Sequence, residues 1–164
     1  MSKAEHALAL LGAAGIKLAV AESLTGGLLA STIVDVPGAS KVFLGGVVAY
    51  ATEAKGELLW VRTETLSDYG AVSAETAAAM AKGVRKNFEA VAFGLDATKL
   101  WTLATTGVAG PDEQEGKPVG RVYVALCTGS ETVTRQMTFS GDRAAIREAA
   151  VEAALDLVLE QFPA

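Results

Sequence analysis

The segment Leu-Ala-Val-Ala-Glu-Ser-Leu-Thr-Gly-Gly, from Leu18 to Gly27, constrains the fold most. Residues 17–22 read as a short buried strand. The apolar run breaks in a hydroxyl-bearing turn with two glycines. A helix over 25–34 follows at once, with Leu28, Leu29, Ile33 and Val34 as its apolar positions, and Pro37–Gly38 closes it. A strand feeding straight into a helix is the repeating step of an α/β sheet. Its junction is where ligands meet free backbone N–H groups.

The rest of the chain continues that alternation. Residues 3–14 predict a helix ending near Gly15, 44–51 a strand, and 53–59 a short helix. Residues 65–72 read as a connector. Ser73 is a good N-cap for a helix over 74–90, with Glu75 in its first turn. A strand over 100–105 leads into a Gly/Pro-rich loop at 106–118. Strands 119–128 and 131–139 form a hairpin around Gly129-Ser130. A last helix, 143–161, places Ile146, Ala149, Ala150, Ala153, Leu157 and Val158 on one face. The expected fold is α/β: a three-layer α/β/α sandwich with a mixed, mostly parallel sheet of about five strands. At 164 residues, one domain over 1–164 is expected.

Composition removes several chemistries. A net charge of −5 argues against nucleic acid as a partner, because that surface must be basic. No apolar run approaches the ~18 residues of a membrane span. The start of the chain has no convincing cleavage site, so a cytoplasmic protein is the expectation. Cys127, the single cysteine, lies in an apolar strand and reads as core. His6, the single histidine, reads as a solvated helix residue far from the other polar clusters. No spacing suits a metal site, and no cofactor is implied. A hydrolase built on this chain therefore needs a base other than histidine. The 51% apolar content allows a homo-oligomer.

Four constellations remain. Glu22-Ser23-Leu24-Thr25-Gly26-Gly27 puts Ser23 at the sheet's carboxyl edge, beside N–H groups that suit an anion or an oxyanion, or only a capping turn. Ser40 to Gly46, with Tyr50 and Lys55, places Lys55 just past the second strand. A lysine of lowered pKa can replace histidine as a base, although a solvated helix lysine fits the same pattern. Thr105-Thr106-Gly107-Val108-Ala109-Gly110-Pro111 is a glycine-rich turn after a strand, suited to phosphate or simply to tight turning. Arg143, in a first helical turn, opposes the helix dipole and suits either Asp142 or an anionic ligand.

Taken together and in order, these segments resemble the CinA C-terminal-domain family over nearly the whole chain. Ala21 to Gly27, Pro37 to Ser40, Gly45-Gly46 with Tyr50, and Glu53-Ala54-Lys55 match first. Gly70 to Ser73, Thr106 to Pro111, Lys117 to Gly120 and Phe139 to Arg143 follow. The resemblance implies hydrolysis of nicotinamide mononucleotide to nicotinate mononucleotide and ammonia. It implies Ser23 as nucleophile and Lys55 as its base. Thr25, Gly26, Gly27, Ser40, Tyr50, Thr106, Gly107 and Arg143 would bind the small-molecule nucleotide. Departures stand at Thr52, at Ala39, and in the loop Asp112 to Gly116. A non-catalytic nucleotide-binding module of the same family is the alternative, and a deamidase for another amide is a third.

Overall fold

A computed structural model describes residues 1–163. Five strands form one sheet: β1 (Lys17–Glu22), β2 (Phe43–Val48), β3 (Leu100–Gly107), β4 (Arg121–Cys127) and β5 (Thr132–Thr138). Their order is β2-β1-β3-β4-β5. β1 runs parallel to both β2 and β3, while β4 pairs antiparallel with β3 and β5. Six α-helices cover the sheet: α1 (Lys3–Ala13), α2 (Leu28–Val34), α3 (Thr52–Leu59), α4 (Thr63–Tyr69), α5 (Ala74–Phe88) and α6 (Arg143–Leu159). The expected α/β/α sandwich with a mixed sheet is thus present. No helix among the described residues is long and apolar enough to cross a membrane.

Strand alternation builds the two faces. Leu18, Val20, Leu103, Val122, Val124 and Leu126 face one way, and α1, α2 and α6 cover them with Leu11, Leu29, Ile33, Ile146 and Leu157. Ala21, Ala104, Ala125 and Cys127 face the other way, under Leu59, Met80 and Val84 from α3 and α5. Cys127 is buried core, and His6 is exposed on α1.

The small residues on that second face let α5 lie close. At Gly83, an added Cβ would stand 1.7 Å from the Leu59 carbonyl oxygen. Backbone cannot yield that distance without moving one helix off the other. Gly83→Ala is therefore expected to destabilise the fold by about 2–3 kcal/mol in urea titration. A loss under half that would show that α3 shifts freely.

Element bounds differ from expectation by up to three residues: β2 ends at Val48 instead of 51, and β3 runs through Thr106 and Gly107, which were expected in a loop. The second helix begins at Leu28, because Gly26 and Gly27 take positive φ (57° and 99°) and hold Thr25–Gly27 as a separate turn. Residues 65–72 do not form a plain connector: α4 occupies Thr63–Tyr69. None of its residues is fully buried, so no apolar stripe marks it.

Candidate active site

β1 sits between β2 and β3, and the chain leaves β1 toward one neighbour and later reaches the other. A crevice opens at such a point, at the carboxyl ends of the strands. A cleft of 440 Å³ lies there. Ser23 follows β1, Tyr50 and Ala51 follow β2, and Thr106 and Gly107 end β3. All five line the cleft, with Lys55 from α3 and Arg143 from α6.

Lys55 is 1% exposed. Its Nζ lies 2.9 Å from Ser23 Oγ, 2.9 Å from the Ala49 carbonyl oxygen and 3.2 Å from the Tyr50 carbonyl oxygen. These partners suit two protonation states. An ammonium donates to all three. A neutral amine donates to the two carbonyls and turns its lone pair to the Ser23 hydroxyl. Burial pulls the Lys55 pKa down to about 8, against the opposing charges of Glu115 and Glu53. Both states are then accessible near neutral pH.

The turn carrying Ser23 is held from three sides. Ser23 N–H donates to the Thr105 carbonyl, extending the sheet by one residue. Arg147 of α6 donates to the carbonyls of Leu24 (2.9 Å) and Thr25 (2.7 Å). Glu22, 1% exposed, accepts the N–H groups of Leu29 (2.8 Å) and Ala30 (3.1 Å) at the start of α2.

Glu22 takes the Leu29 and Ala30 donors at the start of α2, so an oxyanion must find others. No acceptor among the described residues takes the backbone N–H of Leu24, Ala109 or Gly110, and all three residues line the cleft. Glu22 and Arg147 were not identifiable as supports from sequence. A buried glutamate at a strand end was the only available signal.

Four predicted binding residues stand elsewhere. Thr25 is fully buried and shares a 2.7 Å hydrogen bond with Thr105 Oγ1. Gly26 and Gly27 shape the turn without lining the cleft. Ser40 is exposed on a short 3-10 turn ahead of β2, at the opposite edge of the sheet from Ser23.

Arg143 does not pair with Asp142, which caps α6 by accepting the Ala145 N–H at 2.9 Å. Its guanidinium spans the cleft mouth, donating to the Tyr50 hydroxyl (2.7 Å) and to the Gly110 carbonyl. Thr106 Oγ1 donates to the Ala71 carbonyl at 2.6 Å and so fixes the wall opposite.

A family model described as the CinA C-terminal domain matches residues 1–162. The chain belongs to the CinA C-terminal domain family. A CinA-like protein of Frankia casuarinae is 52% identical over 151 residues, covering 92% of this chain and 33% of its own length. A CinA-like protein of Kosmotoga olearia is 46% identical over 150 residues, covering 91% and 34%. This CinA domain thus spans about a third of the length of those relatives.

Among solved structures, a competence-damaged protein (CinA) superfamily protein from Escherichia coli superposes with a TM-score of 0.88. It shows 32% identity over 98% of this chain and 88% of its own. The competence damage-inducible protein A of Klebsiella pneumoniae gives 0.84 and 36%, over 97% and 93%.

Proposed function

We propose that this CinA domain hydrolyses the carboxamide of nicotinamide mononucleotide, releasing nicotinate mononucleotide and ammonia. The 2.9 Å contact between buried Lys55 and Ser23 carries the reading. A module that only bound nucleotide would need a charged lysine and no adjacent hydroxyl, so the contact favours catalysis over binding alone.

Neutral Lys55 takes the Ser23 proton as Oγ attacks the amide carbon. The Leu24 N–H, next to the nucleophile, is free to receive the oxyanion. Collapse breaks the carbon–nitrogen bond, and Lys55 returns the proton to departing ammonia. Water, deprotonated by Lys55, then cleaves the acyl-serine and restores the hydroxyl.

Arg143 has five donors, and two are used within the protein. The remainder, with the free N–H groups of Ala109 and Gly110, suit the 5′-phosphate.

Incubating the purified chain with nicotinamide mononucleotide and measuring ammonia tests the reading. No release above buffer would refute it. Arg143→Ala is expected to raise KM about 10–100-fold while kcat changes little, because the phosphate is held equally in ground and transition states. A fall confined to kcat would place Arg143 at the reacting amide instead.

A further inference from the structure

The segment between β3 and β4 folds back on itself where no regular element requires it. Gln114 N–H donates to the Lys117 carbonyl (3.3 Å) and Lys117 N–H to the Gln114 carbonyl (2.8 Å), closing a two-residue hairpin. Its tip is Glu115 and Gly116, both at positive φ (53° and 73°). Such tips favour Asn-Gly or Asp-Gly. Glutamate there costs roughly 1 kcal/mol of backbone strain. A strained residue beside cleft-lining neighbours points to a side chain wanted for another purpose.

The carboxylate shows what it does. Glu115 Oε1 accepts the Ala71 N–H (3.2 Å) and Oε2 the Val72 N–H (3.4 Å). A Cβ on Gly70 would come within 2.2 Å of Oε2, so a side chain there would displace the carboxylate. Lys117 Nζ donates to the carbonyls of Tyr69 (3.0 Å) and Val72. The hairpin is thus bolted to the turn between α4 and α5 by two opposite charges on adjacent peptide groups. Ala71 and Val72 line the cleft from that turn, and Asp112 and Gln114 line it from the strap.

We propose that Glu115 is a positioning residue for the Ser23–Lys55 pair, locking the 110–118 strap across the cleft and holding a fixed negative charge near Lys55. The proposal rests on Lys55 acting as the base. Two carboxylates oppose the effect of burial on Lys55: Glu115 from the strap and Glu53 from its own helix. Asp112 and Arg143 share the cleft as the other charged groups. Of the two carboxylates that act on Lys55, Glu115 is the one carried by the strap. Opening the strap would remove that charge and favour the neutral amine.

The test needs no substrate. Glu115→Gln keeps the side chain's size but removes the charge and offers one acceptor in place of two. NMR titration of the Lys55 side chain should place its pKa below the wild-type value. Hydrogen exchange at the Ala71 and Val72 amides should quicken about tenfold, the loss of one net hydrogen bond. Should that variant misfold, Glu115→Gly takes the same backbone conformation without strain and should show both effects. If the substrate assay is active, the acid limb of kcat should also move to lower pH, with KM raised. An unchanged Lys55 titration, or unchanged exchange at both amides, overturns the proposal even if ammonia release is normal. Failure of the ammonia assay would leave these two readings intact.

Discussion

Ser23→Ala is expected to retain the fold and lose ammonia release by at least about 10⁴-fold, the scale seen when a serine nucleophile is removed. The backbone at Ser23 is fixed by the sheet and by Arg147, neither of which involves the hydroxyl. Lys55 keeps its two carbonyl acceptors. Calorimetry should therefore show nucleotide binding close to wild type, because Arg143 and the Gly110 loop are untouched. Turnover within tenfold of wild type would remove Ser23 as nucleophile. Thr106 would then be the hydroxyl to examine, since it lines the same cleft and is 1% exposed.

The second large effect is on pH. With the Lys55 pKa near 8, kcat/KM should climb about tenfold per unit as pH rises toward 8, then level. Lys55→Met should abolish that limb together with the activity. Stability carries the same signature. Lys55 has an ordinary value of 10.5 and a native value of about 8. Between them the unfolded chain binds a proton that the native state does not. Wild-type stability should thus rise with pH relative to Lys55→Met, by up to about 1.4 kcal/mol per unit. The gap between the two proteins should stay constant below pH 8. Parallel denaturation curves at pH 7, 8.5 and 10 measure it, and a gap that never changes would mean the lysine titrates as a solvated one.

Much of the architecture was legible because its signals are local. β1 and α5 each bury one face or both, so apolar periodicity marks them. α4 went unseen because it buries nothing fully. Lys55 was placed near Ser23 by its position past a strand, yet its burial depends on α3 packing against the sheet. Thr25 and Ser40 show the limit in the other direction. Both are small hydroxyl residues beside glycine turns, as a binding residue would be. Thr25 is instead spent on a buried bond to Thr105, and Ser40 stands at the wrong sheet edge. Side-chain type in a turn does not reveal which side of the sheet the turn faces.

The groups that orient Lys55 are main-chain carbonyls. In serine–histidine sites a separate acidic side chain holds the base, and substituting it can disable the enzyme while nucleophile and base remain. Here Ala49 and Tyr50 supply that function through their peptide bonds. No substitution of a side chain can delete those acceptors. Side-chain substitutions reach those two carbonyls only indirectly, through whatever moves the end of β2. An orienting role of this kind is open to direct test only by backbone chemistry, replacing one peptide bond with an ester.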